Sequence, residues 1–199
     1  MGLKYPDPPH ESVRELLRGL REIAGLALLE DTHKKTLQRA FTSEKPFSRP
    51  HQIFFLRVDE FTETRSLKAA RLVGWRYFIT DQSTGETTVA EVNFDSISAR
   101  HSFGTFCRRF CEPSILIFLN AESNANFAAS NFEVCLLRVP GLHFSALWLK
   151  SELEADSFIA ITSTVEQAGE MVQLTVGQLI DKLIAATKRE PIRPDTTSS

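Results

Sequence analysis

The run LVGWRYFIT–DQSTGE–TTVAEVNF, from Leu72 to Phe94, constrains the fold more than any other stretch of this sequence. Two apolar and aromatic segments flank a polar loop containing Gly85, the pattern of a β-hairpin with a loop longer than the minimum. In the first segment Val73, Trp75, Tyr77 and Ile79 share one face, with Gly74 and Arg76 on the other. In the second, Ala90, Val92 and Phe94 oppose Glu91 and Asn93. A mid-chain hairpin with so apolar a face needs further strands beside it and a layer to cover it, which points to an α+β fold.

Helical patterns bracket the sheet region. After Asp7-Pro8, a helix start, Val13, Leu16, Leu17, Leu20, Ile23, Ala24 and Ala27 recur at helical spacing, with acids and arginines between them. This helix is predicted to run to about Leu29, weakened by Gly19 and Gly25. Asp31 or Thr32 is placed to cap a second helix carrying Leu37, Ala40 and Phe41. Ser43–Pro50, with Pro46 and Pro50, reads as a linker. At the other end Thr175 and Gln178 form a capping box, and Val176, Leu179, Ile180, Leu183 and Ile184 make the stripe of a C-terminal helix that Pro191 ends.

Between them, Ile53–Val58, Phe132–Val139, Leu142–Lys150 and Phe158–Ile161 are strand candidates, the middle two divided by the turn dipeptide Pro140-Gly141. Phe61–Ala70 reads as a short helix or loop. Phe103, Phe106, Cys107 and Phe110 recur at i, i+3, i+4 and i+7, which predicts a helix over Ser102–Glu112 stopped by Pro113. Ile115–Leu119 is a buried run of either kind, and Ala121–Asn131 a loop or short helix. The expected architecture is an antiparallel or mixed sheet of about five to seven strands with helices on one face. Residues 1–45 form a helical arm in this reading, 51–190 the α+β domain, and 191–199 a disordered tail. Strict βαβ alternation with Gly-rich turns is missing, which argues against a doubly wound nucleotide-binding fold.

At 199 residues the chain can bury a core without disulfides or metal. Phe is in excess, 15 residues against two Tyr and two Trp, and rings without a polar tip belong in a core or an interface. The net charge of −2 offers no general attraction to nucleic acid or to an anionic membrane. Three cysteines, Cys107, Cys111 and Cys135, do not make a disulfide framework, and a reducing cytosol suits them. The N-terminus carries no secretory pattern, Pro6 stands where myristoylation needs Ser or Thr, and no apolar run spans a bilayer. A soluble cytoplasmic protein is the expectation.

No motif announces a reaction. Cys107 and Cys111 with His101 lack the second pair that a zinc site needs, so no metal and no cofactor are expected. A Cys–His nucleophile would have to assemble in space, from Cys107 or Cys135 with His51, His101 or His143. Cys135 lies in an apolar strand pattern, where a thiol is inert. His143 and Ser145 lack the Gly-x-Ser-x-Gly turn. Glu152, Glu154 and Asp156 alternate without the glycine of a calcium loop and read as a solvated turn. Arg100, Arg108 and Arg109 interleave with Phe103, Phe106 and Phe110, but the whole-chain charge does not support a phosphate-tracking surface.

The sequence therefore points to a non-catalytic cytoplasmic protein acting by macromolecular binding: an adaptor, assembly factor or structural component. The alternative is a small hydrolase with a spatially assembled Cys–His site. The expected contact for a protein partner, or for a second copy, is the N-terminal stripe at Leu16, Leu20 and Ile23. Its mixed-charge polar face argues against a membrane surface.

Overall fold

A computed structural model of the chain describes residues 2–25, 47–80, 85, 87–107, 112–128, 131–161 and 171–188. In chain order these form α1 (His10–Ala24), β1 (Ser48–Phe55), α2 (Val58–Thr64), a 3-10 turn at Leu67–Ala69, β2 (Arg71–Thr80), β3 (Thr87–Asp95) and β4 (Arg100–Cys107). They continue with α3 (Glu112–Ser123), α4 (Ala125–Ala128), β5 (Glu133–Val139), a 3-10 turn at Pro140–Leu142, β6 (Phe144–Lys150), β7 (Ser157–Ile161), β8 (Gln173–Thr175) and α5 (Val176–Thr187). The fold is α+β, as expected, with eight strands instead of five to seven, in the order β4-β3-β2-β1-β5-β6-β7-β8. Among the described residues no helix is long and apolar enough to cross a membrane.

The chain divides into two compact units, Tyr5–Gln52 with Val73–Glu112, and Met1–Lys4 with Ile53–Leu72 and Pro113–Ser199. Helix α1 falls in the same unit as β3, β4 and most of β2. The second helix expected near Leu37 and the tail over 191–199 lie outside the described residues.

In the first unit β2 and β3 pair antiparallel from Gly74↔Asn93 to Thr80↔Thr87, which is the hairpin read from the sequence. Trp75, Tyr77 and Ile79 of β2 and Ala90 and Val92 of β3 form one apolar face, on which Leu16 and Leu20 of α1 are buried. Ser12 at the head of the helix shares a buried hydrogen bond of 2.6 Å with the Tyr77 hydroxyl. On the opposite face Arg76 stands directly across from Glu91, and its Nε donates to Glu91 Oε1 at 2.7 Å. Both side chains are buried, so any other register would strand a charge away from water.

The predicted helix over Ser102–Glu112 is not formed: Arg100–Cys107 is strand β4. Glu91 pairs with Thr105 and Val92 with Phe103, leaving Gly104 as an extra residue, a β-bulge. The bulge advances the side-chain phase by one, so Phe103 and Phe106, three residues apart, both reach the α1 cluster. A helical spacing is thereby satisfied by a strand. Cys111 lies outside the described residues. Pro113 sits in the first turn of α3, where its missing N–H costs nothing, so it begins a helix where the sequence reading had it end one. The undecided run Ile115–Leu119 is part of α3.

In the second unit β5 and β6 pair from Glu133↔Lys150 to Val139↔Phe144 around the predicted Pro140-Gly141 turn. Strands β7 and β8 follow antiparallel. Cys135, Leu137, Val139, Ala146, Trp148 and Phe158 face Leu179 and Leu183 of α5 and Phe61 of α2. The capping box of α5 is present: Gln178 N–H donates to Thr175 Oγ1, and Thr175 N–H donates to Gln178 Oε1 at 2.9 Å.

Candidate functional site

The expected binding stripe is occupied by the chain itself. Leu16 and Leu20 are 0% and 1% exposed, and Ile23 is packed at the border of the same cluster. Trp75, Tyr77 and Val92 cover Leu16 and Leu20, and Ile23 is partly buried beside them.

The described cysteines are free thiols without a histidine partner. Cys135 is fully buried at the centre of β5, and its hydrogen bond, 3.8 Å long, goes to Glu133 Oε1. Burial pushes this thiol well above its ordinary pKa, and the Glu133 carboxylate adds to that while Lys150 opposes it. His143 caps the 3-10 turn at the far end of the β5–β6 hairpin. No hydrogen bond joins Cys107 or Cys135 to a histidine among the described residues, nor does any group of three or more His, Cys, Asp and Glu side chains there suit a metal ion. Of the basic-aromatic cluster, Arg100 lies on β4 and Arg108, Arg109 and Phe110 fall outside the described residues.

Three large apolar side chains are exposed among the described residues, Ile97, Leu153 and Val172. Leu153, 85% exposed, lines a cleft. The cleft has a volume of about 300 Å³ and is walled by Lys4, Asn131, Glu133, Lys150, Ser151, Glu152 and Leu153. Its floor comes from strand pairing. Lys4 lies beside Glu133 in a parallel bridge, its N–H donating to Phe132 O at 2.7 Å and its carbonyl accepting from Val134 N–H at 3.0 Å. Glu133 in turn stands opposite Lys150. Residues paired in a sheet point to the same side, so Lys4, Glu133 and Lys150 form a row of alternating charge across three neighbouring segments.

The row and its rim are held in place. The Lys150 ammonium lies 4.9 Å from the Phe54 ring centroid and 5.1 Å from that of Trp148, a double cation–π contact that restrains a flexible side chain. Trp148 Nε1 donates to Asp156 Oδ2 at 3.0 Å, and Ser151 N–H donates to Asp156 Oδ1 at 3.1 Å. Ser151 Oγ accepts from the N–H groups of Leu153 and Glu154 at 3.1 and 2.9 Å. Asp156, read from the sequence as one of three solvated acids, is therefore the brace of the β6–β7 loop. Glu152 lines the cleft and Glu154 is exposed. No spacing in the sequence brings Lys4, Glu133 and Lys150 together, because the sheet register does. The one local signal is the lone Leu153 among acids in the segment Ser151–Asp156.

No family model matches the chain, and neither a curated protein nor a solved structure matches it significantly.

Proposed function

We propose that this is a non-catalytic cytoplasmic protein that works by binding a protein partner, as an adaptor, assembly factor or structural component. The observation that carries this reading is the braced β6–β7 loop, which holds Leu153 out in solvent at the rim of a charged cleft. An apolar anchor on a loop already fixed by hydrogen bonds loses little entropy on docking, so its burial goes into affinity. The docking surface is the cleft of the second unit, since the α1 stripe is consumed internally. The free thiols of Cys107 and Cys135 support a reducing compartment. The raised pKa of Cys135 supports binding over thiol catalysis, because a protonated, buried thiol is a poor nucleophile.

The test is site-specific photocrosslinking in the cells that make the protein. A photoreactive residue replaces Leu153 in one version and Asp181, exposed on α5, in another. The expected result is a discrete protein adduct from position 153 that position 181 does not give. Identical patterns from both, or no adduct at 153, would overturn the proposal.

A further inference from the structure

We infer that the cleft takes an extended peptide segment in which an acidic and a basic side chain stand close together beside an apolar residue. This rests on the binding reading above and specifies the partner's chemistry. The cleft contributes two ammonium groups, Lys4 and Lys150, and two carboxylates, Glu133 and Glu152. None of the four makes a salt bridge among the described residues: Lys4 and Glu152 are exposed, Glu133 accepts only from the Cys135 thiol, and Lys150 lies against the Phe54 and Trp148 rings. An acidic ligand would meet the repulsion of Glu133 and Glu152, and a basic one that of Lys4 and Lys150. A ligand bearing both signs satisfies both sets.

Spacing agrees with a peptide. Neighbouring segments of a sheet lie about 4.8 Å apart, so the row Lys4–Glu133–Lys150 changes sign at that interval. Side chains two residues apart along an extended chain share a face at about 6.8 Å, a difference that the long, flexible Lys and Glu side chains of the row can span. The ring-backed ammonium of Lys150 supplies a fixed point for a carboxylate, and Leu153 at the rim supplies the contact for an apolar neighbour. A free amino acid would carry the same charges, but a rim as open as the exposure of Leu153 shows would leave it poorly enclosed.

The experiment uses the purified full chain and fluorescein-labelled peptides of about a dozen residues, read by anisotropy. The mixed probe carries Asp-Ser-Lys-Ser-Leu in a Gly/Ser background, and the two controls carry Asp-Ser-Asp-Ser-Leu and Lys-Ser-Lys-Ser-Leu. The mixed probe should bind about tenfold tighter than either control and weaken as NaCl rises from about 0.05 to about 0.5 M. Lys150→Gln and Glu133→Gln should each weaken it about fivefold or more, as should the exposed-site variants Lys4→Gln and Glu152→Gln, which leave the strands untouched. Equal binding of the three probes, or mixed-probe binding indifferent to all four substitutions, overturns the inference. If position 153 still crosslinks a partner in that case, the binding reading stands without it. Mixed-probe binding that depends on Lys150 and Glu133 supports the ligand chemistry even where no cellular adduct forms.

Discussion

The ring of Phe103 in β4 lies where a side chain at Gly19 of α1 would begin: a Cβ on residue 19 would stand 2.0 Å from Phe103 Cγ and 2.2 Å from Cδ2. The helix approaches the strand this closely because the residue between them has no side chain. A glycine that weakens the helix by its propensity thus sets the depth at which α1 packs.

Gly19→Ala is accordingly expected to destabilise the protein by about 1–3 kcal/mol, against the gain of about 1 kcal/mol that helix propensity alone would give. The sign of the shift in urea midpoint decides. Phe103→Leu in the same chain should recover part of the loss, because a smaller, movable side chain makes room.

Tyr77→Phe should cost about 1–3 kcal/mol, since it leaves the buried Ser12 hydroxyl without its partner. The burial of Tyr77 also carries a pH signature, which the hydrogen bond with Ser12 partly opposes. Burial pushes the Tyr77 phenol up to about 12 from its ordinary 10, so the folded state holds the neutral form while the unfolded chain ionises first. The stability from this group is fully present below about pH 10 and is lost as pH rises through about 12. Urea midpoints of wild type and Tyr77→Phe measured between those values should converge. A constant gap would mean the phenol is not buried.

Trp75→Ala and Trp148→Ala should each cost about 3–5 kcal/mol, as both indoles are buried. Trp148→Phe separates packing from bracing. It keeps a ring beside Phe158 while removing the N–H donated to Asp156, so proteolysis within Ser151–Asp156 should accelerate more than the melting temperature falls.

Cys135 should react with a thiol reagent only when the protein unfolds, and Cys107, partly exposed at the end of β4, should react first. Mass spectrometry of single-cysteine variants orders the two. Equal rates in the folded protein would show that the centre of β5 opens readily.

What the sequence conveyed was pattern carried by neighbours along the chain. The alternation from Leu72 to Phe94, the Pro140-Gly141 turn and the Thr175–Gln178 cap are local, and each appears where it was read. What it withheld depended on pairing. Phe103 and Phe106 satisfy a helical spacing only because Gly104 bulges, which requires β3 alongside. Leu16 and Leu20 show an apolar stripe, but nothing in the stripe says that Trp75 and Tyr77 cover it. The cleft was the least legible feature, since Lys4, Glu133 and Lys150 meet through strand register across most of the chain.

The bulge at Gly104 makes β4 tolerant of a kind of change that a regular strand would not accept. Losing the Gly104 codon would restore strict alternation with Phe103 and Phe106 two residues apart, so both phenylalanines would stay in the cluster over α1. Among related sequences, β4 should accordingly occur one residue shorter with this glycine and its bulge lost together, and other alignment gaps should fall in the β3–β4 turn at Ser96–Ala99.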